Sequence, residues 1–412
     1  MVELEKVTVD DFRSARAPMD CLAFSLAGFR GCLDPYVSVF LLTQGGWTQD
    51  RIGLALTISG IIGITLHVPL GAFIDATRAK RGLIITGAVA LAVSTVGIGL
   101  VQTFAVVLTA YTVMAIMGGV FGPAMAAIAL GIVGWRLLAW RLGRNAAFDR
   151  AGYLFSSIVA GTVGYVFEQR AVLWVTPLFA AMAASSVLAI PVRAIDRKRS
   201  RGLDANDLAS GRPVRWSSLL QHRQLITTAV VSALFHFANA PMLMMLGQKL
   251  ALANPGLETM LTTIAIVTAQ LTAIPAALLI GARAEQWGRK PFLLCALCAL
   301  PLRAVLLTVS DHPALLLATQ ILDGLGVGVF DAILPLILAD IMRGTGRYNA
   351  GQGFVGMVQG VFGSLSFTVA GTIIVSSGYN VAFLSLGVIA TASMLIACVA
   401  VPETRKRLNS AI

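Results

Sequence analysis

Apolar runs of about twenty residues follow one another from Met19 to Val401, with only short polar breaks between most of them. A bilayer core is about 30 Å thick and takes roughly 20 helical residues to cross. Backbone inside lipid must bond to itself, which leaves helices or closed barrels. The chain is therefore expected to be an all-α integral membrane protein. Twelve transmembrane helices are predicted, at 19–43, 51–74, 82–102, 105–133, 151–167, 171–191, 225–248, 259–281, 291–309, 313–339, 352–375 and 381–401. Soluble proteins carry about 25% charged residues, whereas this chain has 12% against 57% hydrophobic, with mean hydropathy +0.81. The gaps hold no soluble domain of ordinary size.

A net charge of +11 could suggest nucleic acid, but its placement says otherwise. With both termini on one side, the loops of that side hold 26 of the 31 Lys and Arg. The opposite loops hold Arg51, Arg170 and Lys249, and Arg30 and Arg303 lie inside helices. This is the positive-inside asymmetry, which predicts cytoplasmic termini. The basicity is a topology signal, and no nucleic-acid partner is expected. The opening residues, "MVELEKVTVDDFRSARAPMD", carry acids and no apolar core, so they do not read as a cleavable signal. The five cysteines lie in or beside apolar segments, and Cys295 and Cys298 lack the partner pair and polar setting of a zinc site. No metal or cofactor is expected.

Internal repetition organises the chain. The polar segment 192–224 divides it into halves, 1–191 and 225–412, with four ordered matches between them. "GFRGCLDPYV" from Gly28 answers "LFHFANAPML" from Leu234, setting Arg30 opposite His236 and Pro35 opposite Pro241. "GAFIDATRAKR" from Gly71 answers "GARAEQWGRK" from Gly281, setting Asp75 opposite Glu285. "GVFGPAMAAIAL" answers "GVFDAILPLILA", and "FDRAG" from Phe148 answers "YNAGQ".

Two tandem six-helix halves joined by a basic loop resemble the major facilitator superfamily of secondary transporters. The loop after the eighth helix fits that family's signature at Gly281, Glu285, Gly288, Arg289 and Lys290. Its counterpart after the second helix keeps Gly71, Asp75, Lys80 and Arg81, with Arg78 where a glycine is usual. The resemblance implies that this cluster latches the cytoplasmic side. Gly71 and Gly281 are expected to permit close helix approach, and the acids to pair with bases or with a helix N-terminus.

Ionisable residues at bilayer depth are expensive and usually face a cavity. Those here are Arg30, Asp34, His236, Arg303, Asp323 and Asp331, with His67 nearer the cytoplasmic end. Arg30 and Asp34 are four apart, share a helical face and can pair, and Pro35 loosens the ladder beside them. In the resembled family, helices 1, 4, 7 and 10 line a central cavity. Asp34 is the first candidate for a proton carrier, because a buried carboxylate beside an arginine can switch when the pair breaks. His236 follows as the natural titrating group. Asp323 and Asp331 sit about 80° and about 12 Å apart on one helix, too far for a tight dyad. Asp331 is placed on the pathway, and Arg303 reads as the structural partner of an acid such as Asp323. Asn239, Gln270 and Gln359 are candidate substrate contacts. "GGVFGP" in the fourth helix suits close packing and bending.

The sequence is thus read as a proton-coupled transporter of a small organic solute, working by alternating access, with export favoured over uptake symport. The fifth helix lacks the proline of the multidrug antiporter signature. A non-transporting sensor is the reading from another class. The enzyme motifs H-E-x-x-H, G-x-S-x-G and the P-loop are absent. The expected partners are a small-molecule substrate, protons and the lipid bilayer, for a monomer in a bacterial inner membrane.

Overall fold

The computed structural model describes residues 9–77, 79–196, 221–343 and 348–404, with backbone alone at Asp34, Asp75 and a few other helical positions. Arg78 and most of the basic segment 192–224 lie outside the described residues. Among those described, the regular structure is helical, without a strand. The helices are α1 (Val9–Thr43), α2 (Gln49–Ala76), α3 (Lys80–Leu100), α4 (Phe104–Gly134), α5 (135–166), α6 (Ala171–Ala189), α7 (Arg223–Ala253), α8 (Glu258–Trp287), α9 (Lys290–Val309), α10 (Pro313–Ile341), α11 (348–377) and α12 (379–400). Among the described residues, eight stretches are long and apolar enough to cross a membrane, and the last of these, Ala350–Ala400, contains most of α11 and all of α12.

Several helix ends differ from the sequence reading. α1 begins at Val9 rather than 19, and α5 begins at 135, where a loop over 134–150 was expected. Low hydropathy marks where lipid ends, and a helix needs a breaker to stop. Between Gly134 and Val166 there is no proline, so the helix runs on through Arg141, Arg144 and Asp149. Glycines with positive φ stand at two of the breaks that do occur. Gly134 (φ 66°) separates α4 from α5, and Gly378 (φ 82°) separates α11 from α12. Both occupy the left-handed region that glycine enters at little cost. α7, expected as one helix over 225–248, divides into Arg223–Asn239 and Met242–Ala253, with Pro241 at the interruption.

The chain forms two compact units by density of contacts. The first comprises Met1–Leu41 and Ile58–Arg212, and the second Leu42–Thr57 and Pro213–Ile412. In the first, α3 packs on α4 and α6, while α1 runs along α5. A Cβ added at Gly152 would collide with the Phe24 carbonyl, and one at Gly31 with Ser156 and the Tyr153 carbonyl. These glycines let two backbones approach closely, as small residues do between membrane helices. The Tyr36 hydroxyl donates to the Ser157 carbonyl at 2.8 Å, and the Ser157 hydroxyl to the Gly31 carbonyl at 3.2 Å.

Replacing Gly152 with valine is expected to destabilise this unit by about 1–3 kcal/mol, the range for overpacking. Gly143, on the same helix, has open space where its Cβ would stand. Gly143→Ala should therefore leave the thermal midpoint in detergent unchanged or raised. Equal midpoints for the two variants would show that α1 and α5 are not in backbone contact.

In the second unit, α7 packs on the α11–α12 pair, α8 on α10, and α9 on both α10 and the α11–α12 pair. Phe235, Ile333, Phe330 and Phe383 sit in its buried core. The first residues of α2, up to Thr57, belong here as well. The Thr57 hydroxyl donates to the Ser364 carbonyl at 2.5 Å and accepts from the Thr368 amide at 3.2 Å. Gly53 and Gly371 admit that approach, each lying against backbone of the other helix.

Candidate functional site

The first unit holds a cavity of about 200 Å³ with one ion pair on its wall. Arg30 of α1 donates from Nη2 to both carboxylate oxygens of Asp149 on α5, at 2.6 and 2.5 Å. The arginine side chain is 55% exposed and the aspartate 33%, so both reach the open side of the cavity. The remaining lining is apolar, with Phe29 and Leu33 from α1 and Met114, Phe121 and Met125 from α4. Phe29 and Phe121 lie nearly parallel, 21° apart with ring centroids at 6.2 Å.

The sequence reading paired Arg30 with Asp34 on its own helix. Arg30 engages Asp149, and the Asp34 side chain lies outside the described residues. Asp149 was missed because the hydropathy-based reading placed it in a loop. Its signal was present in "FDRAG", one of the four matches between the halves, and in the absence of a helix breaker after Gly134.

α1 and α5 are tied again toward the basic end. Asp20, 7% exposed at its side chain, accepts from Arg141 at 2.7 Å and from Arg144 at 2.6 Å. Arg141 also donates to the Asn145 side chain at 2.8 Å. The buried acid neutralises one of two arginines and fixes the register between the helices.

The second unit gathers the other intramembrane polar residues in two places. Arg303 of α9 has no exposed surface and donates to Asp323 at 2.6 Å, to the Asn239 side chain at 3.1 Å and to Gln320 at 3.3 Å. Asn239, read as a substrate contact, thus has its side-chain carbonyl held by Arg303 next to the interruption of α7. Asp323, read as a cavity acid, is held by the same guanidinium. One turn earlier on α7, His236 shares Nδ1 with the Ser232 carbonyl at 3.0 Å. Its ring stands edge-on to Phe235 and Phe330, which stack at 4.1 Å. Asp331, exposed on α10, lies within electrostatic reach of His236. Gln270 on α8 and Gln359 on α11 are half-buried in this unit.

The signature loop of the second unit is an ion cluster. Arg289 donates to Glu285 at 2.6 Å and to Asp340 at 3.2 Å, and the Thr404 hydroxyl also donates to Asp340 at 3.1 Å. Glu403, unforeseen, accepts the amides of Arg289 at 2.8 Å and Lys290 at 3.0 Å, which caps α9. Gly288 makes the turn at φ 96°, and a Cβ there would strike Glu403. Burial opposes the charge on Arg289, but Glu285 and Asp340 more than offset it and hold the guanidinium above its ordinary value.

The first-unit counterpart is built differently. Arg81 donates to the Val187 and Leu188 carbonyls at the end of α6, and the Lys80 ammonium to the Thr77 carbonyl. Gly71, expected to permit close helix approach, has nothing within 4 Å of the place its Cβ would take. The Asp75 side chain, Arg78 and the surroundings of Gly281 lie outside what is described.

The sequence profile described as Major Facilitator Superfamily matches residues 19–269 and 229–411, essentially the whole chain. The chain belongs to the Major Facilitator Superfamily. As a transporter of that superfamily it resembles two proteins described as uncharacterized MFS-type transporters of Mycobacterium tuberculosis, from strains CDC 1551 / Oshkosh and ATCC 25618 / H37Rv. Each is 40% identical over 393 residues, covering 95% of this chain and 94% of the relative. Crystal structures of the nucleoside transporter NupG share the superfamily fold at 14% identity. A point mutant of NupG superposes with TM-score 0.80, covering 94% of this chain and all of that one. The other NupG structure gives 0.71, covering 93% and 98%.

Proposed function

We propose that this superfamily transporter couples proton movement to the export of a small amphipathic organic solute, with Asp149 as the proton carrier. The observation that carries the reading is the Arg30–Asp149 pair on the wall of an otherwise apolar cavity. Arg30 holds both carboxylate oxygens of Asp149, and a proton or a cationic group on the solute would compete for them. Proton and solute then exclude one another at Asp149, which is the requirement for exchange. Asp34, on α1, is the second candidate carrier, and His236 with Asp331 forms a relay in the other unit. The basic loops support cytoplasmic termini in a bacterial inner membrane, and the chain is taken to act as a monomer.

A specific feature favours uptake symport as the second reading. Arg30 is the more exposed partner, so protonating Asp149 would free a guanidinium for an anionic solute. The two readings differ in sign. In proteoliposomes with a pH dye inside, solute added outside alkalinises the lumen under antiport and acidifies it under symport. A panel of cationic, anionic and neutral solutes is expected to yield alkalinisation with a cation. Solute flux without any pH change would refute proton coupling in either form.

A further inference from the structure

Three glycines of the α4 segment "GGVFGP" do different work. Gly119 faces the ring of His67 on α2, where a Cβ would collide with the imidazole, so its role is packing. Gly118 and Gly122 line the cavity, and beyond their own stretch of helix no heavy atom among the described residues stands within 4 Å of the place where either would carry a Cβ. Neither has a positive φ. Packing and backbone geometry therefore leave both positions free to be alanine, which a helix interior prefers to glycine.

Residues 114, 118, 122 and 125 follow one another at helical spacing, so they form one stripe on α4. All four border the cavity. The stripe has a bare backbone middle between two methionines, whose thioether chains adapt to the outline of what they touch. Phe29 and Phe121 add nearly parallel rings, and Arg30 with Asp149 adds a charged edge. A surface without Cβ atoms lets a flat group lie directly on the backbone. Both aromatic rings are buried and form a firm apolar wall beside the strip.

We propose that Gly118 and Gly122 are specificity-determining residues of this cavity, forming a flat strip on which a planar aromatic or heteroaromatic ring of the solute lies. Its charged substituent reaches the Arg30–Asp149 edge. The proposal rests on the reading of this cavity as the solute site, and it adds the shape of the solute and the residues that select it. Each carbon added at 118 or 122 removes on the order of 30 Å³, about the share of one water. A leucine at 122 adds four such carbons and covers the bare backbone of the strip.

The test uses the full-length protein in nanodiscs and direct binding of three planar probes: ethidium as a cation, coumarin as a neutral ring and 2-naphthoate as an anion. At least one is expected to bind the wild type. Gly122→Leu should weaken that probe by on the order of tenfold or more, since misfit by single carbons in a pocket is already worth 10-fold or more. Gly118→Ala and Gly122→Ala should weaken it less while keeping or raising the thermal midpoint, which shows that the loss is not one of folding. Binding of 2-naphthoate rather than ethidium would sink the cation-export reading and leave the strip intact. The strip itself is overturned if no planar probe binds the wild type, if Gly122→Leu and both alanine variants bind as the wild type does, or if the alanine variants unfold early.

Discussion

Replacing Asp149 with asparagine is expected to abolish proton-driven transport while solute exchange down its gradient persists. The amide is nearly isosteric but cannot ionise, so it imitates one protonation state permanently. Loss of one positioned acid–base group lowers a proton-transfer step by roughly 10²-fold or more, and the solute-dependent pH signal should fall by that order. Arg30, released from Asp149, is 55% exposed and can be solvated where it stands. Removing an exposed pair changes stability by less than about 1 kcal/mol, so the thermal midpoint should scarcely move. Asp34→Asn measured beside it gives the contrast. A pH signal intact in Asp149→Asn and lost in Asp34→Asn would return the carrier to α1.

The largest effect on folding is expected at Asp323. Arg303 has no exposed surface and one acidic partner among its contacts, supplemented by the carbonyls of Asn239 and Gln320. Asp323→Ala leaves a guanidinium in the protein interior without its counter-charge, a loss of about 3–5 kcal/mol for buried pairs broken on one side. The expected readout is a steep fall in expression and in thermal midpoint. Removing both charges should be milder, because replacing a whole buried pair by apolar groups is often neutral. The double variant Arg303→Met with Asp323→Leu should therefore recover most of the lost midpoint. A double variant as unstable as Asp323→Ala would show that the pair contributes specific geometry at the interruption of α7 rather than charge balance.

These two sites also show what the sequence makes legible. Helix number and the long apolar spans could be read directly, because both follow from the thickness of a bilayer. Glu285 and Arg289 could be read because they are four residues apart on one helical turn, so their contact is local. Asp149 could not be placed beside Arg30, since that contact joins residues 119 apart and the intervening helix start was hidden by arginines. Glu403 was invisible for a similar reason, being 114 residues from the amide it caps. Gly71 and Gly122 mark another limit. Composition marks a glycine as small, and only neighbours in space show whether that smallness admits a helix, as at Gly152, or leaves room for something else.

The lengthwise union of α1 with α5 has a kinetic consequence. Asp20 with Arg141 and Arg144, Gly152 beneath Phe24, and Tyr36 on Ser157 fasten these helices both before and after Arg30. Separating Arg30 from Asp149 by parting the helices would break all of these at once. The pair therefore opens by rotation of two partly exposed side chains, a movement of picoseconds to nanoseconds. Collective rearrangements of membrane helices take microseconds to milliseconds. In the proposed cycle, occupancy of Asp149 by a proton, by Arg30 or by a solute cation would thus be settled many times over before the protein changes shape, and the carboxylate would enter each turnover as a reservoir already at equilibrium with the water it faces.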